Sequence, residues 1–170
     1  MTGQLEDFDA ALNQIERLIQ QSREADILAI CDELLVRFPD RFELYYHRAQ
    51  ARAVLGDSVG ALRDISTAIV LQPGEPALFF FRGTWLINEG ELVKGIADLA
   101  ETLNLETKLG LAYYSQSARL TRAVAYLLLR EFERALEDSL AVKPDASGYV
   151  RDRVWTARNI AELAKDHRTI

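Results

Sequence analysis

Apolar residues recur three and four positions apart through most of the chain, and glycine and proline interrupt that spacing at regular places. Residues 41–55 and 57–72 each carry the pattern, which is typical of a helix with one buried face. Gly56 lies between them and Pro73 ends the second, because glycine tolerates a left-handed turn and proline cannot continue a helix. The pattern predicts two helices joined by a tight turn.

Polar residues near the segment ends predict how the helices are capped. Asp40 with Glu43 has the form of a capping box, and Asp57 is placed to cap the second helix. Pro76 stands where a proline in the first turn of the following helix is tolerated.

The helical pattern repeats every 34 residues. This offset carries the segment YYHRAQARAVLGD onto FFFRGTWLINEGE. Windows 8–41, 42–75 and 76–109 follow one another without a gap, and a weaker fourth window occupies 110–147. A fixed period of this length indicates a repeat architecture in which each unit is a pair of helices. Pro144 comes early in the fourth window, so its second helix is expected to be short.

At these positions the chain resembles the tetratricopeptide repeat family. The family pattern has an aromatic and a small residue in the first helix, alanines around a large apolar residue in the second, and a closing proline. The second window matches it with Tyr45, Ala49, Ala61, Ile65, Ala68 and Pro73. The resemblance implies an all-α fold. It further implies a right-handed α-solenoid of stacked antiparallel helix pairs, and we expect residues 1–170 to form a single domain of this kind.

The segment 148–167 is predicted to be a capping helix. One side of it carries apolar residues, namely Val150, Val154, Ala157, Ala161 and Ala164. A half-polar helix can cover the apolar face that the final pair of an array exposes. Trp155 is interpreted as packing within this cap, and a binding anchor is the alternative.

Three windows carry an arginine where the family has an apolar residue, and an aspartate follows 16 residues later. The pairs are Arg48 with Asp64, Arg82 with Asp98, and Arg122 with Asp138. Equal steps up one helix and down its partner, about 12 Å at 1.5 Å per residue, bring the two side chains level. We interpret them as structural ion pairs that fix helix register. The alternative is a clamp for phosphate or carboxylate.

Three consecutive phenylalanines, Phe79 to Phe81, put apolar side chains on nearly every side of one helix, which must therefore be surrounded. The resemblance implies that the first helix of each pair lines a concave groove holding partner segments. By the motif match the groove residues are Tyr46, Gln50, Val54, Phe80, Thr84, Ile87, Asn88, Leu120 and Val124, with Leu12 and Glu16 from the first window. The alternative is that Tyr46 and Phe80 pack on each other without a ligand.

One branch of the family binds acidic carboxyl termini with Lys, Asn and Arg side chains in the groove. The matching positions here hold Leu12, Glu16, His47, Ala77 and Phe81, and none of them supplies that chemistry. The expected partner is therefore a partly apolar segment of another protein or peptide.

Charge and composition argue against several other classes of protein. The net charge is −6, and residues 1–41 carry nine Asp/Glu against four Lys/Arg, so neither nucleic acid nor a membrane surface is an expected partner. We interpret the acidic segment as a solvated face, with a basic partner as the alternative. The single cysteine, Cys31, and the absence of a secretory signal favour a cytoplasmic location. His47 and His167 lie far apart, so neither a metal site nor a cofactor is expected.

No nucleotide-binding loop, hydrolase elbow or metalloprotease helix occurs in the sequence, and the chain is expected not to be an enzyme. The leading hypothesis is a protein-interaction scaffold, an adaptor or chaperone-like module that holds a partner segment in its groove. The alternative is a self-associating structural subunit of a larger assembly, for which a homo-oligomer is possible.

Overall fold

Pairs of helices make up most of the protein, as the repeat pattern predicts. The computed structural model describes the backbone of residues 2–167 and the side chains of residues 8–167. The first four pairs are α1 Thr2–Gln20 with α2 Glu24–Arg37, α3 Phe42–Val54 with α4 Ser58–Leu71, α5 Pro76–Asn88 with α6 Leu92–Leu109, and α7 Ser115–Leu128 with α8 Phe132–Leu140. Strands β1 Ser147–Val150 and β2 Arg153–Thr156 and helix α9 Ala157–Asp166 follow. The chain divides into two compact units, Met1–Pro73 and Gly74–Ile170, and each has its own hydrophobic core.

The turns inside the second and third pairs depend on glycine, as predicted. Gly56 has φ +85° and Gly90 has φ +91°, which is backbone that residues with a side chain rarely adopt. Asp57 caps α4, because its carboxylate accepts a hydrogen bond of 2.9 Å from the backbone N–H of Gly60.

Asp40 and Glu43 do not form the predicted capping box. The N-cap of α3 is Arg41, and its side chain makes no capping hydrogen bond. Glu43 consequently occupies the second helical position, whereas the box requires the third. Pro76 does begin α5, where Glu75 accepts a hydrogen bond from the backbone N–H of Ala77.

Unit 1, Met1–Pro73, builds its core from the inner sides of its first three helices. The core residues are Phe8, Ile15, Leu18, Ile27, Cys31, Leu34, Leu44 and Ala51. Cys31 is fully buried as a small apolar residue, and burial raises the pKa of its thiol to about 12. The thiol therefore stays protonated at neutral pH.

In unit 2, Gly74–Ile170, helices α5 and α6 approach closely at two glycines. A methyl group on Gly95 would lie 2.5 Å from Ile87 Cγ1 and 2.7 Å from the carbonyl oxygen of Gly83. One on Gly83 would lie 3.0 Å from Asp98 Cβ. These small residues set the separation of the two helices.

The segment predicted as one capping helix is a β-hairpin followed by a shorter helix. The hairpin, defined here as residues 147–156, pairs β1 with β2 antiparallel, with Gly148 opposite Trp155 and Tyr149 opposite Val154. The helical prediction for its first part is wrong because a two-residue turn separates Val150 from Val154, so that the two valines lie on different strands and on opposite sides of the hairpin. Aromatic and β-branched residues around them favour strands.

The second part of this segment is helical, as the sequence predicts. Thr156 caps helix α9: its hydroxyl accepts from the backbone N–H of Asn159, while the Asn159 carboxamide accepts from the Thr156 N–H. Its inner residues Ile160 and Ala164 are fully buried, and the helix packs against α8. Helix α8 is short, as the early Pro144 predicts.

Candidate partner-binding faces

Each predicted arginine meets its predicted aspartate through two parallel hydrogen bonds. The Nε–Oδ2 and Nη2–Oδ1 distances are 2.7 and 2.8 Å for Arg48–Asp64, 2.7 and 2.8 Å for Arg82–Asp98, and 2.6 and 2.8 Å for Arg122–Asp138. Such forked pairs are the strongest geometry open to guanidinium and carboxylate. The 16-residue spacing was therefore enough to locate all three contacts.

Further charges reinforce the pair in unit 1. Asp64 also accepts from Arg52 at 2.6 Å, and Arg48 also donates to Asp32 at 2.6 Å. Although burial alone would lower the pKa of Arg48, its hydrogen bonds to the two aspartates raise it. A guanidinium already engaged on two sides within its own unit suits a structural role better than an anion clamp.

An aromatic ring lies under each of these arginines, a feature that the sequence reasoning missed. The guanidinium carbon lies 5.5 Å from the ring centre for Arg48 over Tyr45, 5.8 Å for Arg82 over Phe79, and 5.9 Å for Arg122 over Tyr126. The signal was present for two of the three pairs, because the aromatic residue precedes the arginine by three positions, one helical turn.

In unit 1 the predicted groove residues form what we term the α3 face: Tyr46, Gln50 and Val54, one turn apart on α3, with His47 beside them. Tyr46 and His47 rings are 5.2 Å apart, and the Gln50 amide donates to the Tyr46 hydroxyl at 3.0 Å. Val54 is 70% exposed. The face thus offers an aromatic ring, an amide and an open aliphatic side chain.

Two buried polar atoms in the N-terminal half of α3 have no hydrogen-bond partner among the described residues. They are Nδ1 of His47 and Oε2 of Glu43. A buried polar group without a partner costs about 1–3 kcal/mol, so this part of the surface is not optimised for stability alone.

We expect the stability of the protein to fall as pH drops through about 6.5, in part because of His47. Burial lowers the pKa of this imidazole, and the negative charge of Glu16 only partly opposes that effect. The unfolded chain therefore takes up the proton at a higher pH than the folded one, which favours unfolding in acid. Urea unfolding followed by circular dichroism between pH 7.5 and 5 should show a smaller decline for His47→Gln than for the native protein. Equal declines would contradict the expectation.

The remaining predicted residues of unit 1 lie on α1. Leu12 is half-buried and packs against the unit 1 core, while Glu16 is exposed. Glu16 therefore places an acidic side chain near His47, whereas Leu12 contributes little exposed apolar surface to the α3 face.

In unit 2 the predicted groove residues do not line an open surface. Leu120 and Val124 of α7 are buried in the core, with 2% and 0% exposure. Ile87 is also fully buried, because its side chain faces Gly95 of α6 and so fills the space inside its own helix pair. Within α5 the exposed member of the set is Asn88.

The hairpin lies against this part of unit 2. We term Asn88, Leu120 and Val124 the α5–α7 face. Strand β1 packs against both α5 and α7, and a methyl group on Gly148 would lie 2.9 Å from Leu120 Cδ2. The backbone N–H of Arg151 donates to Asn88 Oδ1 at 3.0 Å. The chain's own hairpin therefore packs on the α5–α7 face at Leu120 and is hydrogen-bonded to exposed Asn88 at its edge.

The phenylalanine triplet is explained by aromatic packing inside unit 2. Phe80 stacks on Tyr114 with ring centres 4.7 Å apart, and Phe81 meets Phe80 edge-on at 5.3 Å and Trp85 at 6.0 Å. Phe80 is half-buried in this aromatic cluster. Thr84, one turn further along α5, is also half-buried, and its hydroxyl is buried without a hydrogen-bond partner.

Tyr114 and Glu106 were missed by the sequence reasoning. Glu106 is 1% exposed, and its carboxylate accepts from the Tyr114 backbone N–H at 2.6 Å and from the Ser115 hydroxyl. It thereby satisfies the start of α7, where Tyr114 provides no capping side chain. A lone glutamate on a predicted helix gave no signal for this role.

Trp155 is 8% exposed, and its indole N–H donates to the Val150 carbonyl at 3.2 Å. This agrees with packing in the C-terminal segment. Among the described residues, no group of three or more His, Cys, Asp or Glu side chains is arranged to hold a metal ion. None of the described helices combines the length and apolar character needed to cross a bilayer.

No protein-family model matches the sequence. A search among curated proteins likewise finds no match. Solved structures do match the fold. The crystal structure of MamA protein superposes with a TM-score of 0.76 at 15% identity, covering 95% of this chain and 82% of that one. A tetratricopeptide repeat protein from Parabacteroides merdae gives 0.75 at 16% identity, with 96% and 61% covered.

A third similar structure contains a bound peptide. It is the Yersinia enterocolitica type III secretion chaperone SycD in complex with a peptide of the translocator YopD. It matches with a TM-score of 0.65 at 16% identity, covering 73% of this chain and 95% of that one. At these identities the likeness is one of fold, and it confirms the all-α, tetratricopeptide-like fold that the 34-residue period predicts.

Proposed function

We propose that this protein is a non-enzymatic interaction module and that the α3 face holds a partly apolar segment of another protein. The supporting observation is the combination on one helix side of the Tyr46 ring, the Gln50 amide and exposed Val54, next to a buried imidazole nitrogen without a partner. An aromatic ring offers a bound peptide a large contact area, and an amide offers it hydrogen bonds.

The charge around the α3 face limits which kinds of partner segment can bind there. Unit 1 carries most of the excess negative charge, and Glu16 lies near His47. A segment that pairs an apolar residue with a hydrogen-bond donor or a basic side chain complements this surface. SycD, which shares the fold, is seen with a peptide bound, and this precedent supports a peptide ligand here.

The test compares two matched substitutions in affinity capture from native lysate with mass spectrometry. Val54→Glu and Val70→Glu each place a carboxylate at an exposed valine in the last turn of a helix, with 70% and 81% exposure, but only Val54 lies on the α3 face. We expect Val54→Glu to lose proteins that the native chain and Val70→Glu both retain. Equal capture by all three would refute the assignment.

Light scattering on the same three proteins separates the proposal from self-assembly. A monomeric native chain that loses its captured partner on Val54→Glu supports an interaction module. An oligomer that dissociates with that substitution would instead identify the α3 face as a contact between copies.

A further inference from the structure

The residues of the hairpin that pack on the α5–α7 face indicate which side chains this face accommodates. Three of its side-chain positions point inward. Gly148 sits where Leu120 leaves no room for a methyl group, Val150 is 1% exposed, and Trp155 is 8% exposed. The opposite side of the hairpin is open, because Tyr149 and Val154 are 64% and 61% exposed.

Two features weaken the attachment of the hairpin to the α5–α7 face. Its turn consists of Arg151 and Asp152 with φ +50° and +60°, a left-handed conformation that two-residue turns normally assign to Asn and Gly. The hydrogen bond from Arg151 to Asn88 is exposed to solvent. Because of both features, this hairpin should detach at a lower cost in free energy than an unstrained strand pair would.

The helix that follows can remain in place when the hairpin moves. Helix α9 is capped reciprocally by Thr156 and Asn159, and it packs on α8 through its own buried residues. The hairpin base is joined to it through Thr156, which ends β2 and caps α9, and through a backbone hydrogen bond from Ala157 N–H to the Ala146 carbonyl. Detachment therefore requires rotation near Ala146 and just before Thr156, while the packing of α9 on α8 keeps the capping helix in place.

We propose that the α5–α7 face is a second binding face, closed in this structure by the chain's own hairpin. Its partner is a strand pair of the same chemistry: a glycine opposite an aromatic residue, with an aliphatic residue two positions after the glycine. This binding is separate from that on the α3 face and does not depend on it.

The probe is a fluorescein-labelled peptide with the sequence of residues 146–157, measured by anisotropy. Gly148→Val in the protein forces the chain's own hairpin against Leu120, while the peptide keeps its glycine. Tyr149→Val is the matched control, because it changes the adjacent residue on the open side. We expect the Gly148→Val protein to bind the peptide at least tenfold more tightly than the native and Tyr149→Val proteins, because its competing occupant is weakened. A peptide that itself carries Gly148→Val should not bind.

Hydrogen exchange of the native protein provides an independent measurement if Gly148→Val fails to fold by circular dichroism. We expect the hairpin amides to exchange at least tenfold faster than those of α7, because the hairpin opens without global unfolding. A folded Gly148→Val protein that does not bind the peptide overturns the proposal. So do hairpin amides that exchange as slowly as those of α7.

Discussion

Asp64→Ala is expected to reduce the free energy of unfolding by about 3–5 kcal/mol, whereas Asp32→Ala should cost less than about 1 kcal/mol. Both carboxylates bind the guanidinium of Arg48. The side chain of Asp64 is 3% exposed and also accepts from Arg52, so its removal leaves two arginines without their buried partner. Asp32 is 60% exposed, and water replaces it readily. Urea unfolding followed by far-ultraviolet circular dichroism measures both values.

A double-mutant cycle shows whether the cost comes from the stranded charge. Arg48→Ala combined with Asp64→Ala should be less destabilising than the two single costs added together, because the second change removes a charge that the first leaves unpaired. Additive costs would mean that the forked pair contributes nothing specific. An Asp32→Ala cost as large as that of Asp64→Ala would show that burial does not control the energy of these pairs.

The sequence carried enough information to predict the helix pairs and the Arg–Asp contacts. Both follow from spacing alone: the 34-residue period gives the pairs, and a 16-residue separation across a glycine turn brings two side chains level. Asp57 and Pro76 were likewise predictable, because capping and first-turn preferences are local.

The binding faces were harder to predict because exposure is a property of packing over long separations. Leu120 has the spacing of a groove residue, yet it lies in the core of unit 2 and close to Gly148, which is 28 residues further along the chain. The hairpin itself was missed because the four-residue spacing of Val150 and Val154 fits one face of a helix, although the two valines lie on different strands.

The pairing of Arg122 with Asp138 was predicted. The second hydrogen bond to Asp138, from Arg119, was not predicted, because the other repeats have no arginine at the corresponding position.

Gly95→Ala is expected to destabilise unit 2 by about 3 kcal/mol, although alanine normally favours a helix over glycine by about 1 kcal/mol. The added methyl group would lie 2.5 Å from Ile87 Cγ1 and 2.7 Å from the Gly83 carbonyl oxygen. The second of these atoms belongs to the helix backbone, so the contact is relieved only by moving α5 and α6 apart. Both tryptophans, Trp85 and Trp155, belong to unit 2, so urea unfolding followed by their fluorescence reports on this unit.

Gly74→Ala is the matched control for this prediction. The same methyl group on Gly74 meets no atom within 4 Å, and the residue does not have a positive φ. It should leave stability unchanged or raise it by about 0.4–1 kcal/mol, since alanine restricts the unfolded chain. The two variants thus make one chemical change with opposite expected signs. A Gly95→Ala protein as stable as Gly74→Ala would show that α5 and α6 can separate at little cost.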